Sequence, residues 1–372
     1  MRRTLERVEL PRAGEAEERA RSVVLGAFAE REPVPAPRRP PVVAIAALVL
    51  AALAVAAVSP PGRAVVDSVR EAVGVERAQP ALFRLPTAGS LLVSSEAGTW
   101  VVEENGRKRL LGTYREASWS PFGRFVVAAR RNELAALEPD GDVRWTLARR
   151  DVRFPRWSGT QTDTRIAYLS GGSLRIVGGD GESDRLLQTG VRTVAPAWRP
   201  RDGFVVTYVD RGGKVVTENV ERRVVLWRRQ YPRPVLQLAW SADGRRLLVR
   251  QPQRVDVLTR DGSLLTGLRG NGASVTASAF RGNLHESSHA LAANGEAQVL
   301  HTGPGGRLFT GAGRFSELAW SPDGRWLLVG WPAADQWVFV RADGRRIRAF
   351  SNVSAQFRSR SFPRLEGWCC PE

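Results

Sequence analysis

Few residues in this chain have the type and spacing for chemistry. His285-Glu286-Ser287-Ser288-His289 spells H-E-x-x-H. On a helix, that spacing puts two imidazoles on one face to hold zinc, with the glutamate as general base. His285 and His289 are therefore the candidate metal ligands, and a metallopeptidase is the activity they would support. His301 is the only other histidine. Cys369 and Cys370 are adjacent at the C-terminus. Neighbouring cysteines are poorly placed to bridge each other, and no CxxC pair exists to suggest a zinc ribbon or a redox motif. Nor does the chain contain a GxSxG nucleophile elbow, a Walker loop or a GxGxxG turn opening a helix.

The histidine motif depends on the element that carries it. From about residue 81, short apolar runs alternate with Gly, Asp and Pro turns. The chain has 36 Gly and 23 Pro, which suits a turn-rich all-β protein. Anchor residues recur about every forty positions, at Trp119, Trp157, Trp198, Trp240, Phe280 and Trp320. Most anchors are followed by a Pro or Asp-Gly turn and then an apolar run, as in Trp240-Ser241-Ala242-Asp243-Gly244-Arg245 before Leu247-Leu248-Val249. A second turn follows at Asp140-Gly141, Asp180-Gly181, Gly212-Gly213, Asp261-Gly262, Gly305-Gly306 and Asp343-Gly344. The anchor ends an inner strand and can fill the space between neighbouring sheets. The Asp-Gly pairs make hairpins, and the apolar run is a strand buried on both faces. This period and pattern predict a β-propeller, with WD40-like repeats of four strands. The H-E-x-x-H motif then falls just after the worn anchor Phe280, where a turn and strand belong. On a strand its two histidines share a face but stand too far apart to chelate.

Trp320-Ser321-Pro322-Asp323-Gly324-Arg325 and its relatives resemble the repeat of the TolB-like propellers, whose units read W-S-P-D-G-R/K before a short hydrophobic strand. The resemblance covers roughly residues 81–368. It implies the fold and leaves the function open, because propellers host many activities. Residues 83–112 look like the last three strands of a blade with no first strand. Ser361-Phe362-Pro363-Arg364-Leu365 echoes Arg153-Phe154-Pro155-Arg156-Trp157. The C-terminus is thus expected to supply the missing inner strand, giving seven blades, with six as the alternative count.

The N-terminal region has a different character. Val42 to Val58 is seventeen residues without a polar side chain, at the short end of a membrane-spanning helix. Forty-one residues precede it, too many for a normal signal peptide, so an uncleaved signal anchor is the reading it supports. Arg38 and Arg39 favour a cytoplasmic N-terminus and an extracytoplasmic propeller. Residues 16–31 carry a helical apolar stripe, Ala16, Ala20, Val23, Val24, Ala27 and Phe28, that could meet a cytoplasmic protein partner. The resulting organisation is a cytoplasmic stub at 1–41, a span at 42–58, a linker at 59–80, the propeller at 81–368 and a tail at 369–372.

The formal charge is +17, yet Lys108 and Lys214 are the only lysines. The many arginines are scattered through turns and strand edges, which argues for a solvated surface over a nucleic-acid partner. No cofactor is implied. The expected function is a non-catalytic, membrane-anchored binding or scaffold module taking a protein, peptide or glycan ligand. Two alternatives are a single-pass regulator whose layout resembles the anti-sigma proteins (without their His-Cys zinc motif) and the metallopeptidase.

Overall fold

The computed structural model describes residues 84–160, 163–201, 203–269, 274–281, 287–293, 296–301 and 307–370. The stub, the apolar stretch Val42–Val58, the linker and His285 lie outside the described residues. Among the described residues, no helix is long and apolar enough to cross a membrane.

The strands form seven four-stranded antiparallel sheets. Six are consecutive meanders. The first combines Ser90–Ser95, Gly98–Val102 and Lys108–Gly112 with the C-terminal strand Arg364–Cys369. Innermost in the other six are Glu116–Trp119, Val152–Gly159, Ala197–Arg199, Gln237–Trp240, Ser274–Phe280 and Leu318–Trp320. These inner strands touch in order round the ring, from Leu318–Trp320 through Arg364–Cys369 back to Glu116–Trp119. The architecture is an all-β propeller.

Burial explains why the strands read as they do. The second strand of each sheet is sandwiched by neighbours on both faces, so Val126–Ala129 and Val205–Val209 are buried at every position. Such strands need continuous apolar runs instead of alternation. The outer strands Val143–Ala148 and Val224–Gln230 alternate exposed and half-buried residues, because one face meets solvent.

The apolar core is a ring of seven clusters, each joining two adjacent sheets. The cluster between the seventh and first sheets joins Trp326, Leu328, Trp337 and Phe339 to Leu91, Val93 and Trp100. Phe362, just before the C-terminal strand, and Leu365 and Trp368 within it pack on this cluster. That strand pairs Leu91 with Trp368 and Ser90 with Cys369. It begins three residues later than the Ser361–Leu365 stretch that sequence marks. Gly89 makes the approach feasible: its φ is +112°, and a Cβ there would sit 2.5 Å from the Cys369 carbonyl oxygen.

Cys369 is thus the last residue of a strand and not part of a tail. Its sulfur lies beside that of Cys370. Cys370 has φ of 55°, a left-handed backbone. The sulfurs lie 3.9 and 3.8 Å from the carbonyl oxygens of Ser120 and Pro121 in the second sheet.

Ending the chain at Asn352 removes Val353, Phe357, Phe362, Leu365 and Trp368 from the closing cluster. At about 1.5–3 kcal/mol per buried side chain, the loss is on the order of 5 kcal/mol or more. The expected result is a melting temperature at least 10 °C lower by circular dichroism, or no cooperative transition. An unchanged transition would show that the ring does not depend on this closure.

Candidate functional site

Two of the repeat turns close on their own side chains. In the fifth sheet the Ser241 hydroxyl donates to Asp243 Oδ1 at 2.6 Å, and the Arg245 N–H donates to the same oxygen at 3.0 Å. Ser321, Asp323 and Arg325 repeat the arrangement in the seventh, at 2.6 and 3.0 Å. Gly244 and Gly324 follow with φ of +70° and +67°, the left-handed region the turn requires. The second sheet keeps the serine, whose Oγ accepts the Phe125 N–H at 3.0 Å, but replaces the aspartate by Phe122. Phe122 cannot close the turn internally, and its side chain stands outward, 48% exposed.

That substitution opens onto an apolar cleft. The cleft lies between the second and third sheets, has a volume of about 460 Å³ and is lined by Phe122, Phe125, Trp145, Trp157, Arg144 and Asp180 among others. Its size is in the range that holds a ligand or an anchoring side chain. Phe125 and Trp157 are stacked, with centroids 6.1 Å apart and planes 17° from parallel. The Arg144 guanidinium is 5.8 Å from the Phe125 centroid, within cation–π range. Trp145 is fixed from below by its Nε1–H, which donates to the Gly179 carbonyl at 2.9 Å. The Trp157 Nε1–H is buried without a hydrogen-bond partner. Rigid aromatic walls, one guanidinium and one carboxylate can grip an extended segment with apolar and polar side chains. They offer no nucleophile held against a base.

A second polar feature surrounds the inner strands of the seventh, first, second and third sheets. Arg153 lies 3.7 Å from Glu116, and Arg364 2.7 Å from Glu366. Glu317 stands apart. One of its carboxylate oxygens is buried without a hydrogen-bond partner, and a Cβ on Gly330 would come 3.0 Å from it. Burial pushes the Glu317 carboxyl up to about 7, with Glu366 acting in the same direction and Ser316 and Arg364 against it.

All six repeat anchors lie on innermost strands. Trp119, Trp240, Phe280 and Trp320 end theirs, whereas Trp157 and Trp198 sit within theirs. Several reach back to the preceding sheet. Trp198 donates to the Arg156 carbonyl at 2.8 Å, Trp240 donates to Thr207 Oγ1 at 3.0 Å, and Arg281 lies 5.0 Å from the Trp320 ring. Of these anchors only Trp157 lines the aromatic cleft. Phe122, Trp145 and Arg144 went unremarked in the sequence. The signal available was Phe122 standing where the repeat has aspartate.

Of the motif's two histidines only His289 lies among the described residues. Ser287, Ser288 and His289 belong to the strand Ser287–Ala293, with His289 opposite Ser278 and Leu300, so no helix runs through this half of the motif. Among the described residues, no group of three His, Cys, Asp or Glu side chains could hold a metal ion. The Gly212-Gly213 turn also belongs elsewhere than its counterparts. It joins the second and third strands of its sheet, whereas Asp140-Gly141 and Asp261-Gly262 join the third and fourth. Gly305-Gly306 lies outside the described residues.

No family model matches the chain, and no curated protein does. Solved structures do. The Cps50 (Swd1) β-propeller domain of Myceliophteria thermophila is similar at 14% identity and a TM-score of 0.52, over 72% of this chain and 98% of that one. The C-terminal WD40 domain of Sif2 is similar at 12% identity and a TM-score of 0.54, over 72% and 84%. A chain of the mitotic checkpoint complex is similar at 16% identity and a TM-score of 0.50, over 63% and 77%. At such identities the likeness establishes a WD40-type propeller fold.

Glu317 makes stability depend on pH with a defined sign. Its folded-state value is raised from 4.5 to about 7, so the fold favours the neutral acid. Its favourable contribution is complete below about pH 4.5, declines as pH rises through 7 and is absent above that, a change of at most about 3 kcal/mol. Glu317→Gln should therefore match the wild type in melting temperature near pH 4.5 and exceed it by several degrees at pH 8. Equal melting temperatures at both pH values would show that this carboxyl is solvated.

Proposed function

We propose that this protein is a membrane-anchored, non-catalytic docking module whose propeller binds an extended protein segment in the cleft between its second and third sheets. The observation that carries the reading is the exposed Phe122 beside the stacked Phe125–Trp157 pair. An apolar side chain in a turn position that its relatives use for a self-satisfying aspartate gains nothing for folding and supplies contact area for a partner. The WD40-type propellers it resembles include a chain of the mitotic checkpoint complex, which supports a protein partner over a small molecule. On this reading the seven sheets act as one closed seven-bladed ring of the TolB-like kind, which gives the cleft two rigid walls.

The anchor rests on the uninterrupted apolar run Val42–Val58, with Arg38 and Arg39 favouring an extracytoplasmic propeller. Alkaline carbonate should leave the full chain in the membrane pellet and release a chain lacking residues 42–58. Release of both would make the propeller a peripheral or soluble module. The ligand site has its own test. Selection of a random-peptide library on the full chain in detergent should return a consensus peptide. Phe122→Asp should weaken its binding at least tenfold without moving the melting temperature, because Phe122 bears on no core. Equal binding by wild type and variant would place the ligand elsewhere.

A further inference from the structure

The arginine excess is mostly scattered, but at one place the fold gathers it. Between the fourth and fifth sheets lies a second cleft of about 440 Å³, whose lining includes Arg229, Arg233, Arg254, Arg269, Tyr231 and Asp256. Arg229 comes from the outer strand Val224–Gln230, Arg233 from the loop after it, and Arg254 and Asp256 from the third strand of the next sheet. Arg269 ends that sheet's outer strand. Positions 229, 233, 254 and 269 are unremarkable along the chain, and only the packing of the two sheets makes them one site.

Its charge is unbalanced. Arg254 Nε donates to Asp256, which accounts for one guanidinium. Arg233 donates to the neutral Gln253, and Arg229 to the Gly262 carbonyl at 3.1 Å. Four arginines against one aspartate leave a net charge of +3 in the lining. Arg229, Arg233 and Arg269 have no carboxylate partner among the described residues. A second observation points into the same cleft. Tyr231 is only 5% exposed, and its hydroxyl makes no hydrogen bond of good geometry, with the Arg229 guanidinium close enough to act on it electrostatically. A buried, unsatisfied hydroxyl is costly unless something binds it. The Arg229 guanidinium lies 6.0 Å from the centroid of the same ring.

We propose that this cleft binds a phosphoryl group, as the phosphate monoester of a ligand. Three uncompensated guanidinium groups match a dianion with several acceptor oxygens better than a single carboxylate, and arginine forks pair with phosphate bidentately. The Tyr231 hydroxyl supplies one further donor at the base. This site lies apart from the cleft between the second and third sheets and stands whether or not that cleft binds a peptide.

The test uses the full chain in detergent, with O-phosphoserine and inorganic phosphate as probes and chloride at equal ionic strength as control. Binding is read by titration calorimetry and by phosphorus NMR line width. O-phosphoserine is expected to bind and to broaden. Arg233→Glu combined with Arg269→Glu, both at the cleft mouth, should weaken it at least tenfold. Tyr231→Phe, which keeps the ring, should weaken it about threefold. Arg245→Glu, on an exposed turn outside the cleft, should leave it unchanged. Tighter binding of O-phosphoserine than of inorganic phosphate supports a monoester ligand, whereas the reverse order overturns the monoester in favour of a free ion. No binding of either probe above the chloride control overturns the proposal, as does binding that the double variant leaves intact.

Discussion

A four-stranded sheet with apolar residues on both faces cannot be stable alone, and most of this molecule follows from that constraint. Each sheet here covers its neighbour, so every apolar cluster is shared by two sheets. A row of such sheets would still expose one apolar face at each end. The only arrangement without an end is a ring, and the ring needs a bond between the first sheet and the last residues of the chain. The Arg364–Cys369 strand supplies it through backbone pairing to Ser90–Ser94 and through Leu365 and Trp368, with Phe362 just before it. The closure carries two further contacts: Gly89 lets the strand approach, and the cysteine pair rests against the Ser120–Pro121 turn.

Once the ring holds the sheets, the turns between strands are free to diverge. The aspartate of the Ser-x-Asp-Gly-Arg turn satisfies the turn's own serine hydroxyl and arginine N–H, and Asp323 accepts one further bond from Thr87. A turn that gives up the aspartate keeps its shape through the serine and the left-handed glycine alone, as Ser120 and Gly123 do. The vacated position can then serve something outside the fold. Phe122 stands exposed there beside Phe125, Trp145 and Trp157, whose orientations are set by stacking and by one indole hydrogen bond. The geometry of a binding cleft thus arises without any cost to the core.

Charge is distributed by the same logic. Most ion pairs described here are half-exposed and contribute little to stability. Groups that the packing of two sheets encloses behave differently. Burial pushes the Glu317 carboxyl up to about 7, with Gly330 leaving room beside it. The arginines around Tyr231 line a mouth open to solvent, where an incoming anion can meet them. A composition that looks like a uniform surface bias therefore contains at least one site with a definite chemical preference.

The sequence by itself determined the repeat. Trp119, Trp157, Trp198, Trp240, Phe280 and Trp320 announce the period, since each innermost strand needs a large apolar residue to fill the gap to a neighbouring sheet. Double-sided burial forces the continuous apolar runs, and both signals are local. The missing first strand was also legible, because residues 83–112 hold three strands' worth of pattern and the C-terminus one. Other features were not. Nothing local distinguishes the Gly212-Gly213 hairpin from its counterparts, because any glycine pair can make either turn. The left-handed backbone at Cys370 is an angle no composition specifies. The two clefts were invisible for the same reason. Trp145 meets Trp157, and Arg229 meets Arg269, only because adjacent sheets pack face to face, and that juxtaposition has no period in the sequence to mark it.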